Sequence, residues 1–163
     1  GILDGPVNAR GEIAWSKDPL PGPASTPEEA KAAIRTWMDV GGASTSLDML
    51  MGYYGPGEDI LVYDSFASNL RGMKEVRAHY AAIMNSYTDI ELEMPNFVVD
   101  SDGVFGVQLD TQRITLKMKD GSNQKLALRQ SDCMRKSGDT WYSFLEHLSL
   151  AVDPKTGQGV VSF

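Results

Sequence analysis

The chain has 163 residues, of which 42% are apolar, and a formal net charge of −7. This length fits one domain with a single core, and no apolar run approaches the roughly 20 residues that cross a bilayer. An acidic chain without a cluster of Lys or Arg argues against nucleic acid as a partner. With one cysteine, Cys133, and two histidines, the sequence predicts neither an internal disulfide nor a zinc site, and we expect no cofactor.

Residues 1–25 contain four prolines and four glycines and show no sustained period. They are predicted to form an extended arm that packs through Ile13 and Trp15, or else a disordered tail. The first ten residues lack the apolar stretch of a signal peptide, so we expect a cytoplasmic protein, with export after removal of a leader as the alternative. Residues 26–154 are predicted to form the domain, and residues 155–163 a C-terminal tail.

Three helices are predicted in the first half of the domain. The first begins with a capping box, in which Thr26 is the N-cap and Glu29 lies three residues later. The second begins at about Ser46 and turns Tyr54 inward. The third follows Gly72 and carries apolar side chains at helical spacing.

A short strand over 60–63 precedes the third helix, and four long strands follow it, separated by turn signals such as Asp120-Gly121. The predicted ranges of the long strands are 89–100, 104–118, 123–136 and 140–151. Helices first and an antiparallel meander last indicate an α+β fold. Three helices on a curved, mostly antiparallel sheet would form a cone-shaped α+β barrel with an apolar interior.

Asp132 carries the strongest functional signal, because strand phase places its carboxyl on the apolar side of the sheet. Leu128 and Met134 share its phase, and a two-residue turn at Asp120-Gly121 would pair it with Leu109. An ionised carboxylate is costly in such surroundings, so its pKa should rise. The protonated acid could then donate a hydrogen bond to a developing oxyanion. A bulge that changes the phase, or an ion pair with a nearby arginine, is the alternative.

Asp64 is a second candidate, because it ends the short strand and precedes an irregular loop of the kind that often carries binding residues. Turn initiation by its side chain is the alternative. In the last hairpin, a three-residue loop turns Phe144 and Glu146 to the apolar side, whereas a two-residue loop turns His147 there. The sequence leaves both registers open. His79 is predicted at a helix border or a subunit contact.

The run from Val62 to Tyr80 resembles the strand, loop and helix of ketosteroid-isomerase-like proteins. In that family an aspartate ends the strand, a glycine opens the helix, and a run of a hydrophobic residue, Arg, any residue, an aromatic residue and Tyr follows. The stretch 131–136, with Trp141 and the run 146–149, is similar to the closing hairpin of SnoaL-like proteins. Over residues 27–153 the chain therefore resembles the SnoaL-like, ketosteroid-isomerase-like branch of the nuclear transport factor 2-like superfamily.

This resemblance implies that Asp64 is the base, that Asp132 is the protonated acid of an oxyanion hole, and that Tyr80 supports it. The oxyanion tyrosine of the family falls at about Trp37, whose indole is a weaker donor. Ser65 replaces the proline that usually follows the base. Steroid isomerisation itself is therefore not expected. The resemblance also implies a homodimer that buries the open face of the sheet.

The leading functional hypothesis is proton transfer on a small hydrophobic carbonyl or ring compound, of the isomerase, cyclase or dehydratase type. A small-molecule binding domain without catalysis and a dimerisation module are the alternatives, because a fold alone does not imply chemistry. The predicted catalytic residues are Asp64 and Asp132. The predicted ligand-binding residues are Trp37, Tyr54, Tyr80, Leu109, Leu128, Phe144, Glu146 and His147.

Overall fold

A computed structural model of the chain describes residues 26–41, 46–54, 59–66 and 69–160, without the side chains of residues 37–41 and Ser137. The predicted arm over 1–25 lies outside the described residues. The described elements are α1 (Pro27–Gly41), α2 (Leu47–Met51), β1 (Leu61–Tyr63), β2 (Asn69–Arg71), α3 (Gly72–Met84), β3 (Tyr87–Ser101), β4 (Phe105–Met118), β5 (Asn123–Ser137) and β6 (Thr140–Leu150). None of these helices is both long and apolar enough to cross a membrane.

The strands form one sheet in the order β2-β1-β6-β5-β4-β3. Neighbouring strands are antiparallel, except that β1 runs parallel to β6. The predicted α+β fold is confirmed: the chain forms a curved, mostly antiparallel sheet with its helices on one face. Strand β2 was not predicted, because three residues are too few to show a period. Of the predicted tail, residues 155–160 turn back on the end of β6, where Val160 N–H donates to the Ala151 carbonyl at 2.8 Å.

The starts of α1 and α3 follow from local chemistry. Thr26 N–H donates to Glu29 Oε2 at 3.0 Å and Glu29 N–H donates to Thr26 Oγ1 at 3.2 Å, which confirms the capping box. One turn further on, Ala30 and Ile34 are fully buried. Helix α3 begins at Gly72, whose φ of 71° lies in the left-handed region that favours glycine.

The turn between β4 and β5 decides which residues of β4 face inward. Met118 N–H donates to the Ser122 carbonyl at 2.8 Å, which leaves three residues, 119–121, in the loop, and Gly121 takes a φ of 85°. A turn followed by one left-handed residue is a common three-residue hairpin loop. This three-residue loop shifts the pairing of β4 with β5 by one residue relative to a two-residue turn, so that Gln108 pairs with Asp132. The predicted pairing of Leu109 with Asp132 is therefore wrong, and Leu109 lies on the outer face, 50% exposed.

The last hairpin combines a two-residue turn with a β-bulge, a combination that neither predicted register included. The register shifts between Cys133 and Met134, opposite Phe144. The extra residue in β6 reverses which side chains of that strand face inward beyond it. Glu146 is therefore buried inside and His147 points outward. Glu146 therefore follows the three-residue alternative. Phe144, which the three-residue loop would also have turned inward, lies instead on the outer side of the sheet. Its ring centroid is 6.4 Å from that of Phe105.

The two faces of the sheet have different surroundings. Buried inner side chains such as Val62, Met134 and Trp141 pack against Ile34 of α1 and Val76 of α3. On the outer face, apolar side chains are left in contact with solvent; the exposed fractions are 59% for Val98, 52% for Phe105, 47% for Val107 and 50% for Leu109. The helices therefore cover one face of the sheet within the described part of the chain.

We predict that Gly106→Ala destabilises the fold by about 1–3 kcal/mol, because an added methyl group would overpack this site. A Cβ there would lie 2.9 Å from Ile34 Cδ1 and 3.3 Å from the Asp100 carbonyl oxygen. Ile34 is fully buried and has little room to move. Urea unfolding of this variant and of Gly159→Ala, whose Cβ would meet no atom within 4 Å, measures the difference. Equal stabilities would mean that α1 does not pack this closely on β4.

Candidate functional site

A cavity of about 150 Å³ lies between the inner face of the sheet and helices α2 and α3. Most of its wall is apolar, with side chains such as Ile83, Ile90, Leu92, Ile114, Leu116 and Leu128. The polar groups in the wall include Asp64, Ser65, Tyr54, Tyr80, Gln130 and Glu146. A concave, mostly apolar space with a few convergent polar groups is the usual form of a small-molecule site.

Glu146 is the most deeply held carboxyl in the cavity wall, with 3% of its surface exposed. Tyr80 Oη donates to Glu146 Oε1 at 2.8 Å and Tyr54 Oη donates to the same atom at 3.0 Å. Gln130 Nε2 donates to Glu146 Oε2 at 3.0 Å. Burial raises the pKa of Glu146 from 4.5 to about 7, although the bonds from Tyr80 and Tyr54 oppose the rise. Near neutral pH this side chain can therefore both accept and release a proton.

Asp132 lies behind the cavity wall, 2% exposed and outside the set of residues that line the cavity. Tyr53 Oη donates to Asp132 Oδ2 at 2.5 Å and Gln130 Nε2 donates to the same atom at 2.6 Å. Burial, followed by repulsion from Glu146, raises the pKa of Asp132 well above its usual range. One amide group of Gln130 thus joins two buried carboxyls. Asp132 faces inward, as strand phase predicted, but reaches the cavity only through Tyr53 and Gln130.

The polar row continues along β4 beneath the cavity. Gln112 Nε2 donates to Gln130 Oε1, and Gln108 Nε2 donates to Asp110 Oδ2 at 2.9 Å. Burial raises the pKa of Asp110 as well. These side chains alternate with exposed ones, as expected for one face of a strand. The inner face of β4 therefore carries a hydrogen-bonded polar row where the sequence had predicted Leu109, whereas Leu128 and Met134 are buried on the inner face as predicted.

Asp64 lines the cavity near the start of the loop after β1, and it is 9% exposed. Its Oδ2 atom accepts a hydrogen bond from Phe66 N–H at 3.2 Å and lies 3.1 Å from His79 Nε2. His79 lies on α3, one residue before Tyr80, which also lines the cavity. The loop and the helix therefore hold one oxygen of this carboxyl in place.

The structure brings together five of the predicted site residues. Those that line the cavity are Tyr54, Asp64, Tyr80, Leu128 and Glu146. Leu109, Phe144 and His147 do not line it, because the register of the two hairpins turns them outward. The Trp37 side chain lies outside the described part of the structure.

Several residues of the site were not predicted, among them Gln130, Tyr53, His79 and Ser65. Gln130 shares the strand phase of Asp132, a signal that could have identified it. Tyr53 follows α2, where the chain turns and both Tyr53 and Tyr54 become buried. The pairing of His79 with Asp64 depends on how α3 packs over the loop, so no sequence period could show it. No group of three or more His, Cys, Asp or Glu side chains in the described residues is arranged to hold a metal ion.

We predict that Asp132→Asn raises the free energy of unfolding at pH 7 by at least about 1 kcal/mol. A carboxyl whose folded pKa is raised ionises in the unfolded chain first, so stability falls as pH increases from the unfolded to the folded pKa. For Glu146, with pKa values of 4.5 and about 7, this loss amounts to about 3 kcal/mol. Asn still accepts bonds from Tyr53 and Gln130, and it removes the repulsion that acts on Glu146.

Urea unfolding between pH 4 and pH 8 checks this expectation, with Asp139→Asn on the exposed turn before β6 as the matched control. The Asp132 variant should lose less stability across this range than the control. Destabilisation by several kcal/mol would instead mean that the Asp132 charge itself is needed by the hydrogen-bond network.

The model of the SnoaL-like domain matches residues 30–153 of the chain. No curated protein matches at a significant level. Among solved structures, a nuclear transport factor 2-like protein of unknown function from Pseudomonas putida is similar, with a TM-score of 0.71 and 19% identity over 85% of this chain and 99% of that one. A candidate dehydratase of the nuclear transport factor 2-like family from Streptomyces avermitilis has a TM-score of 0.69 and 17% identity. That match covers 78% of this chain and 100% of the dehydratase chain. A candidate aromatic ring hydroxylase from Novosphingobium aromaticivorans has a TM-score of 0.68 and 15% identity. That match covers 83% of this chain and 96% of the hydroxylase chain. At these identities the likeness shows a shared fold, and the match over residues 30–153 shows that the chain belongs to the SnoaL-like domain family.

Proposed function

We propose that the protein binds a small, largely apolar ring compound in its cavity and catalyses proton transfer on it. The observation that carries this proposal is the presence of two carboxyls, Asp64 and Glu146, in the wall of one mostly apolar cavity. A cavity of about 150 Å³ suits one small ring, since an engineered apolar cavity of roughly that size binds benzene. Isomerisation, cyclisation and dehydration all use such chemistry.

The two carboxyls have different surroundings, which suggests different roles. Asp64 is held by backbone and side-chain contacts at one oxygen and acts as the base that removes a proton from the ligand. Glu146, protonated, donates through the Tyr80 hydroxyl to an oxygen of the ligand and stabilises the charge that forms there. One proton moves from a ligand carbon to Asp64, and one moves from Glu146 through Tyr80 to the ligand oxygen. Both carboxyls are restored when Asp64 returns its proton to a ligand carbon and the ligand oxygen returns a proton through Tyr80 to Glu146.

Glu146 replaces Asp132 in the role that the sequence analysis gave to Asp132. Glu146 lines the cavity, whereas Tyr53 and Gln130 lie between Asp132 and the cavity. Asp132 acts as a positioning residue, because its bond to Gln130 orients the amide that holds Glu146. The candidate dehydratase from Streptomyces avermitilis, which shares the fold, is consistent with proton transfer as the type of chemistry.

Exchange of ligand C–H protons for deuterium tests this function without knowledge of the full reaction. Cyclic ketones and phenols are incubated with the protein in D₂O, and NMR follows the loss of the exchangeable ring signals. We expect catalysed exchange that falls at least about 100-fold in Asp64→Asn and in Glu146→Gln. The Asp139→Asn variant, altered on an exposed turn, should exchange at the rate of the unaltered protein.

The pH profile of exchange gives a second readout of the same roles. Because the acid must be protonated, the rate should fall as pH rises through about 7, the pKa of Glu146. If compounds bind but the protein does not catalyse their exchange, small-molecule binding without catalysis remains as the function. A profile that is unaffected by Glu146→Gln would remove this residue from the mechanism.

We also propose that the chain forms a homodimer through the outer face of the sheet. The apolar side chains Val98, Phe105, Val107 and Leu109 on this face are about half exposed. Val98 and Leu109 are directly paired across β3 and β4, so they form one continuous patch. Exposed apolar patches of this kind commonly mark protein contacts.

Leu109→Glu should convert the dimer to a monomer, because it places a charge in the centre of the buried patch. Light scattering after size exclusion measures the molar mass. Thr115→Glu, a partly buried position further along β4, serves as the matched control and should leave the dimer intact. A monomeric unaltered protein would show that the face is not used for self-association.

A further inference from the structure

We infer that, when Glu146 is ionised, the ligand presents a hydroxyl group to Asp64 and Ser65, so that the cavity in this state selects neutral ring alcohols over ketones, amines and acids. This inference rests on the proposed function in one respect, that a small ring compound occupies the cavity. It adds the chemical class of the ligand and the residues that recognise its polar group. Both residues line the cavity in succession after β1.

The Asp64 carboxylate has one oxygen available for a ligand. Its Oδ2 atom is occupied by Phe66 N–H at 3.2 Å and by His79 Nε2 at 3.1 Å. Its Oδ1 atom makes no hydrogen bond to any described residue, although the side chain is 9% exposed and lines the cavity. A carboxylate oxygen only accepts hydrogen bonds, so the group that completes this site must be a donor.

Ser65 supplies the complementary half of the site. Its Oγ atom is buried and has no hydrogen-bond partner among the described residues, which is costly for a hydroxyl. Rotation about the Cα–Cβ bond turns this hydroxyl toward a ligand in the cavity that Ser65 lines. A serine hydroxyl both donates and accepts. A ligand hydroxyl that donates to Asp64 can therefore accept from Ser65, which satisfies both residues.

The other donors in the wall are already used when Glu146 is ionised. Tyr54 and Tyr80 donate to Glu146, and Gln130 donates to Glu146 and Asp132. Tyr53 donates to Asp132, and Gln112 is bonded to Gln130 and Asp110. No lysine or arginine is among the described residues that line the cavity. A carboxylate ligand would meet two carboxyls and no cation, and a ketone would leave Asp64 Oδ1 without a donor.

A ligand hydroxyl also fits better than an ammonium group. An ammonium ion must lose its hydration in a cavity whose apolar wall is mostly leucine and isoleucine, which is costly. Asp64 already receives one backbone donor and lies next to His79, so it needs one more hydrogen bond rather than a full counter-charge. A neutral hydroxyl gives that bond without the cost of burying a second charge.

NMR titration of labelled protein with six-membered rings of one size tests the inference directly. The probes are cyclohexanol, cyclohexanone, cyclohexylammonium, cyclohexanecarboxylate and methylcyclohexane, at about pH 9, where Glu146 is ionised. We expect cyclohexanol to bind about tenfold more tightly than cyclohexanone, the effect of one hydrogen bond to a charged group. Ser65→Ala should weaken cyclohexanol several-fold and leave cyclohexanone unchanged, whereas Asp139→Asn should change neither.

Asp64→Asn makes the test specific, because it exchanges an acceptor for a donor at the same place. The Asn carbonyl oxygen takes over the bond from Phe66 N–H, which leaves the amide NH₂ where Oδ1 had been. The preference should then reverse, with cyclohexanone tighter than cyclohexanol. This reversal cannot come from a general loosening of the cavity, which would weaken every probe alike.

The remaining outcomes separate this inference from the proposed function. Equal binding of all the neutral probes, or tighter binding of cyclohexanone to the unaltered protein, would overturn hydroxyl recognition and keep the cavity as a ring-binding site. Tightest binding of cyclohexylammonium would overturn it in favour of charge pairing at Asp64. Binding of none of the probes, methylcyclohexane included, would overturn the proposed function together with this inference.

Discussion

Two carboxyls buried side by side on the inner face of the sheet constrain the rest of the structure. Asp132 and Glu146 are paired across β5 and β6, and each is almost completely removed from water. Such groups are tolerated only when donors surround them. The donors come from the end of α2, from α3 and from β5, so the site fixes how these elements meet. Tyr53, Tyr54 and Tyr80 remain donors, since burial raises the pKa of each hydroxyl well above its usual value.

The same burial links stability to chemistry. Apolar side chains around the cavity make ionisation of Glu146 costly, and this cost brings its pKa close to neutral pH. A better solvated carboxyl would stabilise the fold at neutral pH but would be fully ionised there and could not donate a proton. Strained or costly groups of this kind are concentrated at functional sites. Asp64, held at one oxygen and open at the other, provides a second carboxyl with a different environment.

The sequence predicted the helices, the four long strands and the inward phase of Asp132, because each depends on local signals and on strand alternation. It predicted wrongly that Leu109 points inward, and it left open whether Glu146 or His147 does. A loop at 119–121 that is one residue longer than a two-residue turn sets the orientation of Leu109, and the extra residue Phe144 in the bulge of β6 sets that of Glu146. A change of one residue reverses every side chain beyond it, so such details exceed what periodicity can show. The contact between His79 and Asp64 depends on tertiary packing alone.

The pKa of Glu146 in the folded protein is the most direct test of the proton-transfer function. Carbon-13 NMR of protein labelled at the glutamate side-chain carboxyl measures it, with Glu146→Gln used to assign the signal. The carboxyl should titrate at about 7, and its pKa should change when a ring compound fills the cavity. Titration near 4.5, the ordinary value for glutamate, would mean that the site is well solvated and ionised at neutral pH, and it would contradict the role of Glu146 as the acid.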